Sequence, residues 1–155
     1  MQNDQTLREH LVALLTSADA HDDFETILAM IPAGARGQRP EGGERSPWEV
    51  LEHLRIAQWD LLEVMRNAAH VSPDFPVGYW PTAPEPPTED AWQRSADVFR
   101  ADRRAIADLV SDEVVDLLAA VPGTPEQTIL SKVFLVVDHN AYHLGQLVLL
   151  SDLLM

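Results

Sequence analysis

Two histidines, His139 and His143, stand four residues apart in the stretch DHNAYHLGQ. In a helix, side chains at that spacing lie on one stripe, about 40° apart in projection. The stripe also carries Val136, Leu147 and Leu150, so the pair faces an apolar interior. Burying an imidazole with its polar atoms unsatisfied costs about 1–3 kcal/mol. A divalent cation satisfies two such rings at once, and histidine is its commonest protein ligand. A third donor has to come from a facing helix, and His53 fits best. It lies about seven residues, roughly 10 Å, along its helix, a height that matches His143 on an antiparallel neighbour. His21 stands at a possible height, whereas His10 and His70 stand at poorer heights or outside the core. The plainer alternative is a set of core or surface histidines with ordinary hydrogen-bond partners.

Three imidazoles would leave coordination positions open, where a closed structural zinc site has four protein ligands. An open position takes water or a donor atom of a substrate. All-imidazole ligation suits Zn²⁺ or Ni²⁺ best, with Fe²⁺, Co²⁺ and Mn²⁺ harder to exclude. Asp60, one heptad after His53, and Gln146, one heptad after His139, project from the same faces. Each is a candidate either to accept the outer N–H of a ligating ring or to meet the substrate.

The elements that must position these residues are helices. Leu7, Leu11, Leu14, Leu15, Ala18, Phe24, Leu28 and Ile31 recur at helical spacing and predict a first helix from about Asp4 to Ile31, stopped by Pro32. The loop PAGARGQRPEGGER has no periodicity. In SPWE, Ser46 is an N-cap, Pro47 the first helical residue and Glu49 the partner of a capping box. The second helix then runs through Val50, Leu54, Ala57, Leu61 and Val64 to about Asn67. Pro73, Pro76, Pro81, Pro84, Pro86 and Pro87 rule out a helix in the next stretch. Phe75, Tyr79 and Trp80 make it too aromatic for a solvated linker, so an ordered crossover against the helices is expected. A third helix begins near Thr88, a plausible N-cap, and carries Trp92, Ala96, Phe99, Ile106 and Leu109. A fourth starts between Thr124 and Thr128, with TPEQ as a capping box, and ends at about Leu154. An extended crossover at about 3.1 Å per residue can return along the whole length of a helix. The expectation is one all-α domain over residues 1–155, an up-down-down-up four-helix bundle with a long Pro-rich crossover between helices two and three.

Composition narrows the function. The formal charge is −14, which opposes binding to phosphate backbones and to anionic membrane surfaces. No cysteine is present, so disulfides, a thiolate nucleophile of the protein's own and cysteine metal sites are excluded. The N-terminal MQNDQTLREH lacks the basic and apolar regions of a signal peptide, and no uninterrupted apolar run approaches the length of a membrane span. A cytoplasmic location is expected. No serine sits in a G-x-S-x-G elbow, and PEGG lacks the lysine and flanking strand of a phosphate-binding loop.

The segments SPWEVLEHLRIAQWDLLE and DHNAYHLGQLVLL, with AHDDFETIL, RGQRPEG and SPDFPVGYWP, resemble the DinB superfamily of damage-inducible, YfiT-like metal-dependent proteins over nearly the whole chain. That resemblance implies an up-down-down-up four-helix bundle, commonly a homodimer, with a divalent metal on His53, His139 and His143. Some relatives are transferases or isomerases that use bacillithiol, mycothiol or glutathione, so a low-molecular-weight thiol is an implied co-substrate. The resemblance makes a metal-dependent hydrolase or thiol S-transferase the leading expectation, with a metal-bound water or thiolate as nucleophile. A non-catalytic metal-binding stress protein and a structural dimer with a vestigial site are the alternatives. Trp48, Trp59, Tyr79, Trp80 and Trp92 read as core or dimer contacts, with Tyr79 and Trp80 also able to roof the metal pocket. Arg36 and Arg39 read as loop or salt-bridge residues, or as partners of an anionic thiol.

Overall fold

The helix that carries His53 is fixed by its first turn. Ser46 takes an extended conformation, its hydroxyl accepts the Glu49 N–H, and the Glu49 carboxylate accepts the Ser46 N–H at 2.8 Å. Both donors would otherwise be orphaned at the helix start. In the computed structural model, which describes residues 2–17 and 20–155, the chain forms five α-helices and one small hairpin among the described residues. They are α1 (Gln2–Thr16), α2 (Phe24–Ala29), α3 (Pro47–Arg66), α4 (Ala91–Ser111) and α5 (Ile129–Leu154), with strands β1 (Ala120–Val121) and β2 (Thr124–Thr128) between α4 and α5.

The chain is mainly helical, as its periodicity predicts, with three local corrections. The first helix is two. It breaks before Asp23, whose side chain accepts the Thr26 N–H at 2.7 Å and starts α2 anew. A strong N-cap there outweighs the continuing apolar period. Ala18, assigned to that first stripe, lies outside the described residues. Thr88 does not cap the next helix. α4 starts after Asp90, and the Thr88 hydroxyl donates instead to the Asp90 carboxylate at 2.8 Å. TPEQ is not a helix start but strand β2. Gly123, at φ +77°, makes the tight turn that pairs Val121 with Thr124. Helix α5 starts after Thr128, which forms a reciprocal cap with Ser131.

α3 packs on both α4 and α5, α1 on the same two helices, and α2 on α5. The core has two parts. One is aromatic-rich, built from Phe24, Trp48, Leu51, Leu54, Trp92, Phe99 and Leu147. The other is aliphatic, built from Leu11, Leu15, Leu62, Ile106, Val110, Val133 and Val136. Each of these large side chains, fully buried, stabilises the fold by about 1.5–3 kcal/mol. Between the two parts runs a polar layer. Gln58, 1% exposed, donates to the Phe99 carbonyl at 2.7 Å and accepts from Asn140 at 2.8 Å. Among the described residues, α5 alone is long and apolar enough by mean hydropathy to cross a bilayer, although the sequence holds no uninterrupted apolar run of that length. Here it lines both parts of the core with Val133, Val136, Leu144, Leu147 and Leu150.

Candidate metal centre

The polar layer widens where α3 meets α5. His53 lies on α3 between Leu51 and Leu54, which are fully buried and fix its helical face inward. His139 and His143 lie one turn apart on α5, between Val136 and Leu147. The structure brings all three rings together. His53 Nε2 stands 3.1 Å from His139 Nε2 and 3.1 Å from His143 Nε2. One nitrogen of each ring falls within 4.8 Å of the others, the spread that a single ion can bridge. The predicted trio is the only such metal-sized group of His, Asp or Glu among the described residues.

The outer ring nitrogens decide what points inward. His53 Nδ1 lies 2.8 Å from the Tyr79 carbonyl oxygen, which can only accept, so Nδ1 carries the proton. Gln146 Oε1 accepts in the same way from His143 Nδ1 at 2.7 Å. The neutral forms of both rings therefore aim the lone pair of Nε2 at the shared space. His139 Nδ1 is buried with no hydrogen-bond partner among the described residues. The facing Nε2 lone pairs of His53 and His143, 3.1 Å apart, repel unless a proton or a Lewis acid lies between them. A proton is disfavoured: burial holds the pKa of His53 down at about 4, and burial with the neighbouring His143 and His53 holds His139 at about 4. Burial lowers His143 as well. Neutral imidazoles that converge on one point, with the outer N–H of His53 and of His143 already engaged, fit a divalent cation.

Of the two residues expected to support the rings, Gln146 meets His143 directly, whereas Asp60 acts at one remove. Asp60, 5% exposed, accepts the Tyr79 hydroxyl and a His70 ring N–H, each at 2.7 Å. It thereby anchors the residue whose carbonyl orients His53. Burial and the Asp60 carboxylate push the Tyr79 phenol up to about 12, so it stays a donor. His70, assigned by sequence to a poor height or outside the core, is tucked against Asp60 and edge-on to Trp59 at 5.1 Å. His21 is exposed, bonded to the neighbouring Asp22 carbonyl, and plays no part in the trio.

Trp80 roofs the centre. Its ring stacks on His53 at 3.9 Å with planes 3° apart. Trp48 and Trp92 are core residues, and Phe75, expected to lie against the helices, is 88% exposed. Arg39 forms two hydrogen bonds with Glu49, at 2.9 and 2.7 Å, and Arg36 lies over the Trp92 ring at 4.7 Å. Arg45 was not singled out by sequence. It lies over Trp80 at 4.1 Å and donates to Glu49 at 3.1 Å. Its i,i+4 spacing to Glu49 was the available signal.

The family model of the DinB superfamily matches residues 8–147. The chain belongs to that superfamily. No curated protein and no solved structure gives a significant match.

Proposed function

We propose that the protein is a metal-dependent enzyme acting on a small molecule, as a thiol S-transferase or a hydrolase. The observation that carries this reading is the convergence of three neutral imidazoles on one point. His53, His139 and His143 would hold the ion, and Zn²⁺ or Ni²⁺ suits the donor set best. Bound there, a divalent ion supplies Lewis acidity that lowers the pKa of a water or thiol beside it. The chain's own residues do the rest. The Tyr79 carbonyl and Gln146 fix two rings in the tautomer that ligates. Trp80 shields one face of His53 from water. Three neutral ligands leave the charge of the ion uncompensated by the protein, which favours an anionic nucleophile such as thiolate or hydroxide.

The same reading takes the long helices as an up-down-down-up bundle, with residues 67–90 as its crossover; α3 packing on both α4 and α5 supports it. A homodimer belongs to this reading too, supported by Leu135, Tyr142, Leu149 and Leu153, which α5 leaves exposed. A second reading, an ion held without turnover, draws on the burial of His53 and His143, 7% and 6% exposed. Turnover separates the two. Wild-type protein loaded with Zn²⁺ or Ni²⁺ is given glutathione, bacillithiol or mycothiol with monobromobimane, and separately a panel of activated esters. The enzyme reading expects turnover that chelator abolishes and that His143→Ala lacks while keeping its helical circular dichroism. Metal uptake with no turnover on any of these would favour the second reading.

A further inference from the structure

We infer that Arg45 recognises an anionic group on the small molecule handled by the histidine centre, so that the substrate class is a carboxylate-bearing molecule with an apolar body. This rests on the proposed enzymatic reading and adds the chemistry of the substrate to it. Three observations carry it. First, Arg45 and the centre share one indole. The guanidinium lies 4.1 Å over Trp80, and the same side chain stacks on His53 at 3.9 Å. Second, Arg45 has capacity to spare. Arg39 already engages Glu49 through both carboxylate oxygens, so Arg45 is a second cation on a satisfied anion. Its bond to Glu49 uses one of five N–H donors, and its side chain remains 42% exposed. Within this ion-paired cluster two cations meet one anion, in a chain whose net charge is −14. Third, there is a groove to receive a ligand. Arg45, Pro76, Val77, Trp80, Pro81 and Thr82 line it. Prolines offer no N–H, so much of the wall is apolar, and among the side chains Arg45, Thr82 and the Trp80 indole bear polar groups. Guanidinium pairs with carboxylate in a planar fork.

The experiment compares two thiols, mercaptosuccinate, which carries two carboxylates, and uncharged thioglycerol. Calorimetry measures their binding to Zn²⁺-loaded wild type, Arg45→Gln and Arg45→Lys, with succinate titrated into metal-free protein in parallel. The wild type is expected to prefer mercaptosuccinate by about tenfold or more, the scale of one charge-assisted contact. Arg45→Gln removes that preference, leaves thioglycerol binding and zinc uptake unchanged, and weakens succinate binding; Arg45→Lys restores part of the preference. Equal weakening of both thiols in Arg45→Gln would show that Arg45 only props Trp80, and an unchanged preference would show that it reads nothing. Either overturns the inference. Failure of wild type to take zinc would sink the metal reading alone. The succinate arm then decides, with binding sensitive to Arg45→Gln supporting the inference and absent or insensitive binding overturning it.

Discussion

Glu49 and His53 stand one turn apart on α3, both buried, and their surroundings differ in kind. The Glu49 carboxylate is closed. It accepts from the Ser46 N–H, twice from Arg39 and once from Arg45, and Ser46 is tied in turn to the Pro84 carbonyl. Burial alone would push the carboxyl pKa up, yet these bonds outweigh it and hold it at about 2. His53 is closed on one side only. Its Nδ1 is engaged, while its Nε2 faces two more nitrogens that cannot all donate. A buried polar group whose partners are complete serves the fold. One whose partners are incomplete, and whose tautomer is held so that it stays incomplete, waits for something else.

The sharpest way to break that contrast is to open the closed corner. Glu49→Ala removes half the capping box and leaves Arg39 and Arg45 without their anion. A loss of about 2–3 kcal/mol in urea unfolding is expected, with zinc stoichiometry unchanged in the protein that remains folded. If the variant unfolds as the wild type does, the corner is not structural. The pH dependence follows from the same carboxylate. Its pKa is depressed in the fold from an ordinary 4.5 to about 2. Its contribution is therefore fully present above about pH 4.5 and is lost as pH falls from there toward 2. The stability gap between wild type and Glu49→Gln should be widest above that window and narrow through it, read from urea midpoints in acid.

The open centre should answer to different substitutions. Gln146→Leu removes the acceptor of the His143 N–H without touching a ligand. Zinc affinity is expected to fall about 10–100-fold, measured by chelator competition, with little change in unfolding. A smaller effect belongs to Tyr79→Phe. It breaks the hydroxyl bond to Asp60 but keeps the carbonyl bond to His53, so about 1 kcal/mol of stability should go while zinc affinity moves only slightly. A large loss of zinc affinity in that variant would mean that the Asp60 anchor, rather than the carbonyl, governs the ring.

These contrasts also explain what could be read in the sequence. The trio was legible because helical periodicity converts spacing into direction. His139 and His143 share a stripe by arithmetic, and the capped start at Ser46 fixes the height of His53. Gln146 followed from the same arithmetic. The supports that come from residues 67–90 did not. A backbone carbonyl such as that of Tyr79 has no signature in side-chain sequence, and a Pro-rich stretch without hydrogen-bonded periodicity gives no rule for where Trp80 lands. Asp60 was singled out, yet its work is done through Tyr79 and His70, partners set by the path of that stretch. The break before α2 and the hairpin before α5 were missed for a different reason. Asp23 and Gly123 each act through one local conformation, and a long apolar period masked them.

The central claim is that three imidazoles bind one cation. Metal-free protein, exposed to Zn²⁺, Ni²⁺ or Co²⁺ and then desalted, should retain about one equivalent per chain by elemental analysis. His139→Ala and His143→Ala, with helical circular dichroism intact, should each retain almost none. Wild-type protein that stays folded and takes up none of the three ions, or alanine variants that bind as the wild type does, would contradict the account.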